Sequence, residues 1–167
     1  MTLHVATVAW HRGTQVFVDN AYSRAHVWRF DGGATVPASS SPHVVRVPLS
    51  NPAHVDPEEA FVAALSSCHM LWFLGIAAAK GYCVDSYTDE AQGLMARNAK
   101  GKEWVATVNL RPHVVFSGAK VPTEAVVAGM HHDAHEACYI ANSVLSDIHL
   151  QPTWACEGAP HTPVASA

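Results

Sequence analysis

Apolar and polar residues alternate in short stretches at the start of this chain, fuse into one long apolar block near residue 60, and then alternate again. Val5-Ala6-Thr7-Val8-Ala9-Trp10 is rich in β-branched residues and runs into Arg12-Gly13, so it predicts a strand ended by a turn. Gln15 to Val18 and His26 to Phe30 predict two more strands, the second closed by Asp31-Gly32-Gly33. From Ala34 to Asp56 the prolines and the Ser39-Ser40-Ser41 run predict a long loop holding one short strand at Val44 to Val47. At Asp56 the pattern changes. Asp56 suits an N-cap, Pro57 the first helical position, and Glu59 the closing side of a capping box. Nothing breaks a helix before Lys80-Gly81, which gives ~35 Å of helix at 1.5 Å per residue. It is apolar nearly all round, so burial on most sides is expected.

Val84 to Arg97 and Glu103 to Ser117 predict a hairpin around Asn98-Ala99-Lys100-Gly101, with Pro112 marking a bulge or an edge. Pro122-Thr123 opens a second helix extending to about Leu145, with Met130, Ala134, Ala137, Ala141 and Val144 on a helical period. Ile148 to Ala155 predicts a last strand, and residues 157–167 a frayed tail. Strands, buried helix, hairpin, helix and strand make an α+β pattern, read as one domain over residues 1–156.

Composition narrows this further. The 167 residues are 49% hydrophobic and 14% charged, with mean hydropathy +0.07, the opposite of a disordered chain. A net charge of −4 leaves no electrostatic footprint for nucleic acid. Phe61 to Ala79 nearly meets the length of a membrane span. Ser66, Ser67, His69 and Gly75 within it, and the glutamates before it, favour a core helix, so no membrane association is expected. Met1-Thr2-Leu3-His4 begins no basic-then-apolar leader, so a cytoplasmic protein is expected. In that compartment the four cysteines serve the core or chemistry, not a disulfide framework. The low charge also points to apolar surface covered by another chain.

Cys68 lies mid-helix in Ser66-Ser67-Cys68-His69. A small buried hydrophobe is the plain reading, and a reactive thiolate needing a nearby cation is the other. Cys138, in His135-Glu136-Ala137-Cys138-Tyr139, would meet Cys68 if the two helices pack side by side. Cys83 and Cys156 read as structural or incidental. His131, His135 and Cys138 share one helix face at i, i+4, i+7, and with His132 and His69 they raise a metal site; no CxxC or HExxH accompanies them. Arg12, Arg24 and Arg46 fall in turns from which a site is within reach.

Asp56-Pro57-Glu58-Glu59, Ser67-Cys68 ten residues after Glu58, the apolar run to Gly81 and His135-Glu136-Ala137-Cys138 together resemble the OsmC/Ohr family of bacterial thiol-dependent peroxidases. The order of elements resembles that family from about residue 3 to 155. The resemblance implies an OsmC-like fold, antiparallel sheets around two long buried helices, in an intertwined homodimer. It implies reduction of organic hydroperoxides, with Cys68 as peroxidatic thiolate and Cys138 as resolving thiol, regenerated by a dithiol such as a dihydrolipoyl group and calling for no metal or cofactor. Glu58 matches the family's glutamate, and Arg24 is the arginine chosen, with Arg46 and Arg12 in reserve. Ten helical residues place Glu58 ~15 Å along the axis from Cys68 and roughly 80° around it. An arginine must bridge them, or Glu58 serves the cysteine of a second chain. His69 after Cys68, Tyr139 after Cys138 and the long proline-rich stretch before Asp56 depart from better-known members and mark a divergent branch. The alternative function is a protein of this fold that binds a thiol, metal or small ligand through the His/Cys cluster.

Overall fold

A computed structural model describes residues 2–156 and the short strand Thr162–Pro163; the tail expected over 157–167 otherwise lies outside the described residues. The chain divides into two compact units, residues 1–60 and 61–167. The first holds an antiparallel sheet in the order β1-β2-β3, made of β1 (Ala6–Ala9), β2 (His26–Phe30) and β3 (Thr35–Ala38). Gln15 to Val18 is not a strand. Phe17 instead stacks on Tyr22 at 4.7 Å between ring centres, Trp10 meets Tyr22 edge-on at 5.3 Å, and the Gln15 side chain accepts from Ser23 N. The apolar residues read there as a strand fold back into an aromatic knot.

The expected strand at Val44 to Val47 is also absent. Those residues turn, with Val44 N and Val45 N both donating to Ser41 O. The strand of this segment is β3, hidden from a sequence reading by Pro37. Because β3 is an edge, Pro37 faces Val27 without disrupting a central ladder.

Helix α1 (Pro57–Ala79) begins as expected: Glu59 N donates to Asp56 Oδ1 at 2.8 Å and Asp56 N to Glu59 Oε2 at 3.0 Å, a reciprocal capping box. It ends at Gly81, whose φ of 75° only glycine adopts without strain. Burial on most sides does not occur within the chain. One stripe, Leu65, His69, Phe73 and Ala77, is buried, whereas Leu71 is 63% exposed.

The second unit contains β4 (Cys83–Asp89), β5 (Gln92–Arg97), β6 (Glu103–Leu110), β7 (Pro112–Ser117), helix α2 (Glu124–Ala137), β8 (Asp147–Leu150), β9 (Thr153–Cys156) and β10 (Thr162–Pro163). The expected hairpin is there, but both arms change sheets. β4 pairs with β7 in one sheet, of order β10-β9-β7-β4, and β5 pairs with β6 in another, of order β5-β6-β8. The last strand is broken in the same way: β8 runs parallel to β6, and β9 parallel to β7. The breaks fall at residues 90–91, 111 and 151–152, where Pro112 and Pro152 withhold backbone donors. Asp89 Oδ1 accepts from Arg111 N at 2.7 Å, and the Arg111 guanidinium donates to Glu90 O at 2.9 Å, which fixes two of these corners together.

Helix α2 stops at Ala137, well short of Leu145. Cys138 is extended (φ −68°, ψ 112°), and Asn142 Nδ2 donates to the carbonyls of Glu136 and Cys138 before a 3-10 turn at Ala141–Ser143. An asparagine that satisfies helix-end carbonyls competes with continuation of the helix. Between the helices and sheets lie two apolar clusters. One joins Phe73 and Ala77 to Val127, Met130, Ala134, Val114 and Phe116; the other joins Leu65 to Val108, Leu110 and Cys138.

Candidate active site

Cys68 faces the second cluster because it lies on α1 one residue before the buried His69 and one turn after Leu65. Cys138 enters the same cluster from the end of α2 and is fully buried. Both sulfurs are free thiols in this one cluster, near enough for Cys68 to shift the titration of Cys138. Burial pushes the Cys138 thiol up to about 11; the hydrogen bond with Cys68 adds to this, and backbone N–H groups of Ala141 and Ile140 oppose it. Burial and Cys68 both favour the protonated form of Cys138. Ala141 N donates to Cys138 Sγ at 3.4 Å, a contact made available by the extended cap and the 3-10 turn that follows it.

The walls around the pair are apolar. Leu65, Val108 and Leu110 are buried beside it, with Phe61, Val62, Trp72 and Ile140 packed on. Trp72 stands one helical turn beyond Cys68 and meets the exposed Tyr139, the residue after Cys138, edge-on at 5.5 Å. Along α1, Leu65 and Trp72 join the cluster that holds the thiols, Leu71 is exposed, and Phe73 packs on His131 at 4.2 Å between ring centres.

Glu58 and Arg24 belong to the first unit, whereas Cys68 and Cys138 belong to the second. α1 is unbroken from Pro57 to Ala79, so Glu58 keeps its ~15 Å axial separation from Cys68 in the same chain. Glu58 is half-buried, and its carboxylate pairs with no described residue. The Arg24 guanidinium is used within its own turn, donating to Asn20 Oδ1 at 2.7 Å and to Tyr22 O, and lying 3.9 Å over the Tyr22 ring. Arg12 donates to Gln15 O at 3.0 Å, and Arg46 is exposed.

The histidine group separates into different surroundings. His69 Nε2 and His131 Nδ1 share a hydrogen bond at 3.0 Å, both rings fully buried and coplanar to 1°. His132 is exposed and His135 half-buried. Among the described residues no three His, Cys, Asp or Glu side chains are grouped to hold a metal ion. The His69–His131 pairing escaped the sequence reading, which placed both in one metal cluster. The missed signal is positional: each histidine sits on the buried stripe of its helix, where an imidazole needs a polar partner. Ser66 was also passed over; it donates to Asp89 Oδ2 at 2.5 Å and ties α1 to β4 beside the thiols.

The family model for OsmC-like proteins matches residues 50–153. No curated protein sequence matches the chain. Among solved structures, an OsmC-like protein of unknown function from Vibrio cholerae is 58% identical, with a TM-score of 0.89 over 91% of this chain and 99% of that one. An organic hydroperoxide resistance protein from Elizabethkingia anophelis shares 15% identity at TM-score 0.64, covering 93% and 96% of the two chains. The organic hydroperoxide resistance protein OhrB of Bacillus subtilis shares 15% identity at TM-score 0.60, covering 90% and 98%. With the family model spanning well over half its length, the chain belongs to the OsmC-like family.

Proposed function

We propose that this protein is a cysteine-based peroxidase that reduces organic hydroperoxides. The observation that carries this reading is two free thiols in one apolar cluster, Cys68 half-buried and Cys138 fully buried and held protonated. Cys68 is then the nucleophile. Its thiolate attacks the O–O bond, taking one oxygen as sulfenic acid while the alkoxide leaves and is protonated to the alcohol. Cys138 attacks that sulfenic sulfur, forming the Cys68–Cys138 disulfide and releasing water. A dithiol of the dihydrolipoyl type reduces the disulfide and closes the cycle. The apolar wall of Leu65, Trp72, Val108 and Leu110 favours an alkyl hydroperoxide over hydrogen peroxide.

Arg24 and Glu58 complete the site in this reading, the guanidinium stabilising the thiolate and the carboxylate holding the guanidinium. Glu58 acts from a second copy of the chain. A homodimer is supported by the uncharged, exposed stripe of α1 through Ala64, Ser67, Leu71, Gly75 and Ala78. A reducing cytoplasm suits a thiol pair that must return to the reduced state.

The test is intact-mass spectrometry of reduced protein after one equivalent of cumene hydroperoxide, with peptide mapping and light scattering on the same sample. Loss of two hydrogens with a Cys68–Cys138 linkage in a dimer is the expected result. An unchanged mass while peroxide persists sinks the enzyme, and a monomer removes Glu58 from the site.

A further inference from the structure

The buried imidazole pair has polar atoms left over. His69 Nδ1 and His131 Nε2 have no hydrogen-bond partner, and neither has Tyr87 Oη. The rings of Tyr87 and His131 are neighbours, 6.5 Å apart and tilted by 49°, and both pack on Phe73. Tyr87 is directed into this layer by register: it faces Val114 across β4 and β7, and Val114 is fully buried. Trp154, which faces Val114 from the other side, carries a further unpaired Nε1–H. Buried donors and acceptors are almost always satisfied, by protein or by ordered water. Two unpaired buried polar atoms on neighbouring rings, the buried His131 and the half-buried Tyr87, mark a place for a molecule that both gives and accepts hydrogen bonds.

The chemistry of the pair fixes what that molecule must do. Burial pushes His69 down to about 4, the neighbouring His135 adding to this, and burial with His69 nearby pushes His131 down to about 3, so both rings are neutral at pH 7. A neutral imidazole carries one N–H. If His69 Nε2–H donates to His131 Nδ1, then His131 must carry its proton on Nε2. If His131 Nδ1–H donates to His69 Nε2, then His131 Nε2 is a bare acceptor and His69 carries its proton on Nδ1. Either way the rings hold the same tautomer, and the outer nitrogen of His131 is a donor in one state and an acceptor in the other. Tyr87 Oη likewise donates or accepts. Water matches both states, and two ordinary hydrogen bonds let it span about 5–6 Å.

We propose that one internal water molecule joins His131 Nε2 to Tyr87 Oη, so that Tyr87, water, His131 and His69 form a neutral hydrogen-bonded chain linking β4 to α2 and α1. The chain of hydrogen bonds is complete at the His131 end in either tautomer, and neither ring carries a net charge. The site is independent of peroxidase activity.

Two measurements on the full chain test it. Long-range proton–nitrogen NMR of histidine-labelled protein at pH 7 is expected to show His69 and His131 both neutral and with the same tautomer. Oxygen-17 relaxation dispersion is expected to count one fewer long-lived internal water in Tyr87→Phe than in wild type. Opposite tautomers, a charged ring, a metal on His131 Nε2, or an equal water count in the two proteins overturns the proposal. Should Tyr87→Phe fail to fold, a high-resolution crystal structure of the wild type decides: density hydrogen-bonded to both atoms supports the site, and its absence overturns it.

Discussion

Cys138 is expected to be a poor nucleophile in the resting protein, and Cys68 is part of the reason. Its thiol stands at about 11 against an ordinary 9.0, with burial the larger cause and the hydrogen bond to Cys68 the next. A rise of two units cuts the thiolate fraction near neutral pH by ~100-fold, each unit being a factor of ten. The more basic thiolate is intrinsically more reactive, which restores about a factor of six to ten. The net expectation is alkylation roughly tenfold slower than an exposed thiol, and slower again because Cys138 is fully buried. Cys83, exposed at the start of β4, is an internal reference in the same chain. Timed labelling of reduced protein with iodoacetamide from pH 7 to 11, followed by peptide mass mapping, reads both rates. Cys68→Ala removes the neighbouring thiol but not the burial. The Cys138 midpoint should therefore fall in that variant, yet stay above 9.0. Labelling of Cys138 as fast as Cys83, or a midpoint indifferent to Cys68→Ala, would show that Cys68 does not help to hold Cys138 protonated.

Two further predictions concern the frame around the thiols. A Cβ on Gly93 would stand 2.7 Å from Val62 Cγ2 and 3.3 Å from Val105 Cγ1, so Gly93→Ala should destabilise the fold by about 1–3 kcal/mol, the usual cost of overpacking. Urea denaturation of Gly93→Ala with and without Val62→Ala checks this, since relief in the double variant is required if the clash is the cause. The second prediction is acid sensitivity. His69 and His131 are held neutral below their ordinary 6.5, so the unfolded chain binds more protons and stability must fall as pH drops from about 6.5 towards 4. Two groups give a slope approaching about 2.7 kcal/mol per pH unit. Stability independent of pH between 6.5 and 5 would refute the burial of the pair.

Much of this was legible in the sequence wherever local chemistry decides the structure. The capping box at Asp56 and the glycine stop at Gly81 set both ends of α1, and the pairing of Cys68 with Cys138 lay within what two packed helices allow. The failures came where tertiary partners override local preference. Gln15 to Val18 has strand-like residues, but Trp10 and Tyr22 offer its phenylalanine a better contact than a neighbouring strand. Pro37 argues against a strand until β3 is known to be an edge. The continuing period through Ala141 and Val144 extended α2 too far, because only the fold shows that Asn142 turns back to cap the carbonyls of Glu136 and Cys138. For the candidate site, the helical setting of Cys68 left a plain buried cysteine and a reactive thiolate both open, and the resemblance alone singled out Cys68 with Cys138. The His69–His131 pair could not be singled out, since two buried stripes 62 residues apart have to be aligned before the partnership is visible.

The two strands that flank β6 and β7, namely β8 and β9, are synthesised after the strands they pair with. β8 and β9 supply the parallel neighbours of β6 and β7, so until residues 147–156 emerge those two strands have nothing along one side. Their open edges run beside Val108, Leu110, Val114 and Phe116, the residues on which both apolar clusters rest. A growing chain in that state presents unpaired backbone next to its most apolar side chains, the combination that invites strand addition from a neighbouring molecule. Truncation just after α2 would make that transient condition permanent.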